Sequence, residues 1–100
     1  MATTPKKLKQ SDIEKKLKKI PEWTINTKNT EISRTFPLRS FITGLSFIAK
    51  IAVHAELMNH HPDIELSYGS VKVHLSTHDI KGLSNLDFEL AGKIDKITLL

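Results

Sequence analysis

The stretch FITGLSFIAKIAVHAELM, residues 41–58, followed by Asn59-His60-His61-Pro62, decides how this chain folds. Its apolar residues recur at helical spacing, and Ser40 precedes it as a candidate N-cap. Placed on a wheel, the helix keeps a narrow polar stripe of Thr43, Ser46, Lys50 and His54, with apolar or small residues over most of the rest. A helix apolar on more than one side is buried on more than one side. In a chain of 100 residues that predicts a subunit interface as well as an internal core, hence an oligomer. Pro62 disfavours helical geometry in the residue before it and predicts a break at Asn59–Pro62. Lys50, His54 and Glu56 make the stretch too charged, on this reading, to span a bilayer.

Working outward, the flanks read as two similar ββ units. Trp23 to Thr27 and Glu31 to Phe36 are rich in β-branched and aromatic residues around a Lys28-Asn29-Thr30 turn, which predicts a hairpin closed by Pro37. Ile64 to Tyr68 and Val71 to Ser76 form a second hairpin around Gly69-Ser70. In its second strand Val71, Val73 and Leu75 face one side, and Lys72, His74 and Ser76 the other. Ser11 and Glu14 form a capping-box pattern for a first short helix carrying Ile13, Leu17 and Ile20, ended by Pro21. A last helix starts at Ser84 with Asp87 at its third position. The order αββαββα predicts one α+β domain: a four-stranded antiparallel sheet with helices packed on one face. Residues 1–10 are set apart as a flexible lysine-rich lead-in, and residues 11–100 as the domain.

A chain of this size supports one modest core, so an active site must be a surface cleft or lie between subunits. Without cysteine there is no disulfide, thiolate chemistry or cysteine-bound zinc, which fits a reducing compartment. No apolar secretory leader is visible, and the expectation is a cytoplasmic protein. Net charge is +4, but residues 1–20 carry seven lysines against Asp12 and Glu14, leaving the other eighty at −1. The basicity is a local solubilising segment on this reading. It holds no arginine or aromatic residue, which argues against a nucleic-acid partner.

Chemistry concentrates in five histidines. His60 and His61 sit at a helix-to-strand junction, and His78 follows a strand beside Asp79, where loops commonly carry function. Glu56 shares a helix face with His60 if the helix persists that far. A carboxylate in that apolar arc needs a partner or a pocket edge, unless it escapes to solvent. His54 and His74 read as surface or packing residues. A metal site is disfavoured: His74 and His78 lie ~13 Å apart in an extended strand, and no H-E-x-x-H motif is present.

Two blocks carry a specific likeness. Glu56-x-x-x-His60-His61-Pro62, then Tyr68, then Thr77-His78-x-x-x-Gly82-Leu83-Ser84-x-x-Asp87, resemble the pterin-4a-carbinolamine dehydratase family in content, order and separation. The resemblance runs from Trp23 to about Ile97 and agrees with the αββαββα order. Asp63-Ile64 departs from the acidic-aromatic pair of animal members, and the lysine-rich N-terminus is not a family hallmark.

The resemblance implies dehydration of 4a-hydroxytetrahydropterin to quinonoid dihydropterin in tetrahydrobiopterin recycling. It implies His60, His61 and His78 as catalytic residues, and substrate contacts from Asn59, His60, His61, Ser76, Thr77, His78 and Asp79. Trp23 would help wall the cleft, and Glu56 and Asp87 would support the histidines; Asp87 suits both a helix cap and a histidine partner. Histidine, with a pKa of about 6.5, suits acid or base work near neutrality. The elimination changes no overall oxidation state, so no redox cofactor is expected, and no metal. Family likeness further implies a homotetramer built from two dimers. It also raises the alternative of a binding module that stabilises dimers of a transcription factor, with the nucleus as a second location.

Overall fold

The computed structural model describes residues 5–97. Residues 1–4 of the expected lead-in and 98–100 of the expected domain lie outside the described residues. The elements are α1 (Gln10–Leu17), β1 (Thr24–Ile25), β2 (Ile32–Pro37), α2 (Phe41–Met58), β3 (Asp63–Ser67), β4 (Ser70–Leu75), a 3-10 turn (His78–Ile80) and α3 (Asn85–Asp95). The α+β class and the αββαββα order hold. The four strands form one antiparallel sheet in the order β1-β2-β4-β3.

β4 lies inside the sheet, and its alternation sets the layers. Val71, Val73 and Leu75 are fully buried, while Lys72 is exposed and His74 half-buried on the opposite face. α2 lies across β3 and β4 and packs against α3. Gly44 permits the close approach: a methyl group there would stand 2.8 Å from Leu66 Cδ1 and 3.1 Å from Leu38 Cδ1. Phe36 joins the two ends of the core, with Phe47 at 4.8 Å and Trp23 at 6.2 Å between ring centroids, both edge-on.

Both ends of α2 follow from local chemistry. The Ser40 hydroxyl accepts the Thr43 N–H at 3.2 Å. At the other end Asn59 turns left-handed, with φ 50° and ψ 43°. Its N–H and that of His60 close back onto the Ala55 and Glu56 carbonyls. The helix therefore stops before His60, and Glu56 and His60 do not share a helix face.

Three sequence expectations need correction. α1 starts two residues earlier than the Ser11–Glu14 box requires: Lys9 is the N-cap, and no side chain caps it. The Lys9 carbonyl already accepts from Asp12 and Ile13, and Glu14 is taken by Gln10 at 3.3 Å. α2 has a mean hydropathy of 1.4 over 18 residues, long and apolar enough to cross a membrane by length and composition, despite its charges. Here it covers a sheet, burying only Gly44, Phe47, Ile51 and Ala55. Its other apolar side stays uncovered in the single chain, with Ile42 69% and Leu57 80% exposed. Finally, Pro5–Lys9 lies against the domain instead of leading away from it. The Leu8 N–H donates to the Leu83 carbonyl at 2.8 Å, and the Leu8 side chain packs on the core.

Candidate active site

One cleft of about 720 Å³ opens where the C-terminal end of α2 meets the loop after β4. That volume lies within the range of roughly 300–1,000 Å³ common for small-molecule sites. Its lining is Pro5, Met58, Asn59, His60, His61, Ser76, Thr77, His78, Asp79 and Leu86. Two segments far apart in sequence thus face one space.

The local folding of each segment explains the placement. The left-handed Asn59 turns the chain sharply enough to put His60 inward and His61 outward. Across the cleft, the loop is closed at its base by paired bonds between Thr77 and Gly82. Within it the Ile80 and Lys81 N–H groups bond back to the Thr77 and His78 carbonyls, and Lys81 is left-handed at φ 51°. His78 and Asp79 are carried at the exposed tip.

His60 is held by a buried network. Its Nε2 lies 2.6 Å from Asp87 Oδ1, with Asp87 fully buried in the first turn of α3. A carboxylate oxygen only accepts, so Nε2 carries the hydrogen and Nδ1 is the ring nitrogen not committed to Asp87. Asp87 Oδ2 accepts the Thr77 hydroxyl at 2.8 Å and the Ser84 N–H at 3.0 Å. Because the Thr77 hydrogen is committed to Asp87, the Ser84 hydroxyl is the donor in its 2.7 Å contact with Thr77 Oγ1. The donors therefore converge on Asp87: Ser84 through Thr77 from one side, and His60 Nε2–H from the other. Among the described residues no buried side-chain nitrogen or oxygen lacks a partner.

The other two cleft histidines are held more loosely. His61 Nε2 bonds Glu56 Oε2, both groups being mostly exposed. His78 Nε2 stands 3.7 Å from Asp63 Oδ2, within ion-pair range, and both are exposed. Each histidine has its own carboxylate, and among the described residues no three ligating side chains converge as a metal site would require. Glu56 thus partners His61, not His60, because the helix has already turned at Asn59.

The comparisons with known proteins give the family. Residues 6–97 match the family described as "Pterin 4 alpha carbinolamine dehydratase". The chain belongs to that family. Among relatives, the "Putative pterin-4-alpha-carbinolamine dehydratase" of Picosynechococcus sp. is 41% identical over 91 residues, covering 91% of this chain and 97% of that one. The protein of the same name from Halorhodospira halophila is 44% identical over 84 residues, covering 84% and 77%. A solved structure titled as a transcriptional coactivator/pterin dehydratase from Brucella melitensis superposes with a TM-score of 0.85 at 31% identity, covering 90% and 96%. A pterin dehydratase-like protein described as a RuBisCO assembly factor of the alpha-carboxysome has a TM-score of 0.63 at 19% identity, over 74% and 86%; that likeness shows the fold alone.

Within this dehydratase-family fold, Asn59, His60, His61, Ser76, Thr77, His78 and Asp79 all reach the cleft. Trp23 does not: it is buried in the core, and its indole N–H donates to Asp95 Oδ1 at 2.8 Å beside Arg34. His54 and His74 lie outside the cleft. His74 is clamped across the open face of the sheet, with Nδ1 3.0 Å from Glu31 and Nε2 2.5 Å from Glu65. Burial lowers its pKa, but the hydrogen bonds and charges of Glu65 and Glu31 outweigh that and hold it above the ordinary 6.5. Sequence reasoning missed Met58, Leu86 and Pro5. The first two adjoin motif residues and were within reach of the helix pattern; nothing in the sequence places Pro5 there.

Proposed function

We propose that this chain dehydrates 4a-hydroxytetrahydropterin to quinonoid dihydropterin and water by histidine acid–base catalysis. The observation that carries the reading is His60, His61 and His78 on one cleft, with the His60 ring fixed by Asp87. The C4a–O bond breaks as a histidinium gives its proton to the departing hydroxyl, which leaves as water. The N5 proton is lost to a base, and the electron pair of the N5–H bond forms the new double bond. Atoms balance as substrate minus water, with no oxidant or reductant.

In this scheme His60 and His78 are the general acids, and His61 orients the ring and accepts the N5 proton. With Nε2–H committed to Asp87, a protonated His60 donates from Nδ1 and a neutral one accepts there, so one ring nitrogen serves both directions. Met58, Leu86 and Pro5 supply apolar wall for a flat bicyclic ring. The product would feed reduced-pterin recycling in the cytoplasm. Stopped-flow dehydration of synthetic 4a-hydroxytetrahydropterin tests the reading directly; a rate equal to the spontaneous one would end it.

The uncovered side of α2 favours a second, compatible reading: self-association, as a tetramer of two dimers. Phe41, Ile42, Leu45, Val53 and Leu57 are large apolar side chains exposed along one helix. The Brucella protein's title pairs dehydratase with transcriptional coactivator. A chain that assembled with a transcription factor but failed the dehydration assay would make that binding role the primary one.

A further inference from the structure

The segment before α1 reaches the cleft and the base of its His78 loop through three residues, Pro5, Lys7 and Leu8. Pro5 lines the cleft itself, in company with His60 and His78. Lys7 lays its stem over Gly82: a methyl group on Gly82 would stand 3.1 Å from Lys7 Cγ, 3.2 Å from Cδ and 2.7 Å from Cε. Leu8 donates its N–H to the Leu83 carbonyl at 2.8 Å and packs on the core. Gly82 has no positive φ, so glycine is needed there for space and not for backbone freedom. Gly82 also closes the base of the loop that carries His78, through its paired bonds with Thr77.

We infer that Pro5–Leu8 is a positioning element of the active cleft, walling it through Pro5 and bracing the His78 loop through Lys7 on Gly82 and Leu8 on Leu83. The base of the loop is held by the Thr77–Gly82 pair and by Thr77 on Asp87, while its tip has, among the described residues, only the His78–Asp63 contact. Its tip residues His78, Asp79 and Lys81 are exposed, and its internal bonds are those of a single 3-10 turn. A short loop of that kind opens readily unless something packs on it. The arm supplies that packing at the base of the loop, on Gly82 and Leu83. The inference rests on the dehydratase reading only for what the cleft binds; the brace itself is independent of substrate.

The test uses the full chain with Gly82→Ala. Because Cγ is among the crowded atoms, the lysine cannot clear the new methyl by moving its end alone; the whole stem must leave Gly82, by turning about Cα–Cβ or by lifting of the arm, and either way the brace is lost. Dehydration kcat/KM is expected to fall roughly tenfold, the scale of a sub-ångström displacement near reacting groups. The loss divides between kcat, through His78, and KM, through Pro5. Amide exchange at Ile80, Lys81 and Gly82 should quicken. Lys7→Ala alone should quicken the same amides and lower kcat, and adding it to Gly82→Ala should cost little more, because both changes remove one contact; a defect intrinsic to the altered loop would add in full. Unchanged kinetics and exchange in Gly82→Ala, or losses that add in full in the double variant, would overturn the inference. Should Gly82→Ala not fold, Lys7→Ala alone must show faster exchange at the same amides, and wild-type rates there overturn it. A full chain with no dehydratase activity would sink the functional reading, while the exchange comparison would still decide the brace.

Discussion

Asp87 Oδ1 stands 2.6 Å from His60 Nε2, while Oδ2 of the same carboxylate caps α3 by accepting the Ser84 N–H at 3.0 Å. One side chain thus sets both the start of the last helix and the tautomer of a cleft histidine. Asp87→Asn keeps one oxygen for the Thr77 and Ser84 donors and turns an amide N–H₂ toward His60, so Nε2 becomes the acceptor and the ring hydrogen moves to Nδ1. The expected outcome is a fall in kcat of about 100-fold or less, together with about 1–3 kcal/mol lost in chemical denaturation.

His60→Ala and His78→Ala should each slow dehydration, and the double variant should approach the spontaneous rate. General acid–base groups contribute about 100- to 10,000-fold; losses near the lower end are expected, since the reaction also proceeds unaided. His61→Ala should chiefly raise KM, its ring being exposed and tied only to Glu56. His54→Ala, outside the cleft, should leave both kinetic parameters near wild type. Added chelator should leave the rate unchanged. Wild-type turnover in a folded double variant would contradict the mechanism.

His74 predicts a pH effect on stability that is separate from catalysis. Both its ring nitrogens face carboxylates, and only the imidazolium can donate to two at once. Its pKa is raised in the folded chain, so this clamp stabilises fully below the unfolded value of about 6.5 and fades as pH rises through the folded one. His74→Gln should flatten the decline of Tm above about pH 6.5 while leaving turnover unchanged. Identical pH profiles for the two proteins would show that the clamp contributes nothing.

The uncovered side of α2 predicts particles larger than the 11.3 kDa chain in light scattering. Leu57→Glu or Ile42→Glu should lower the mass without unfolding the protein, since both side chains are mostly exposed. Ile51→Glu, at a fully buried position, should unfold it instead. A single-chain mass for the wild type at micromolar concentration would refute self-association.

Much of this was legible because it rests on local signals. The bounds of α2 follow from Ser40, Asn59 and the helical spacing between them, and the capping pair Ser84–Asp87 is present as its pattern indicates. The histidine set was readable as two motif blocks. What escaped depends on longer-range geometry. The Ser11–Glu14 pattern looks like a cap, but Lys9 is drawn into the helix start by a chain already bonded at Leu8 to Leu83. Glu56 lies four residues from His60, and a single left-handed residue hands it to His61 instead. Trp23 was assigned to the cleft by likeness, while its indole N–H is claimed by Asp95, 72 residues away. Pro5 carries no pattern at all; tertiary docking alone brings it to the cleft.

The buried network that ends on His60 runs through Asp87 in α3, which follows every cleft histidine in the sequence and so leaves the ribosome after them. Until Asp87 has been made and α3 has docked, His60 has no partner for Nε2 and Thr77 no acceptor for its hydroxyl. Nascent chains short of that helix hold every cleft histidine but not the assembled cleft. Ligand that binds only the completed site stabilises the native state by mass action, and here it would act on the final docking step. Protection by a ligand of this cleft should therefore rise only after Asp87 has emerged and α3 has docked.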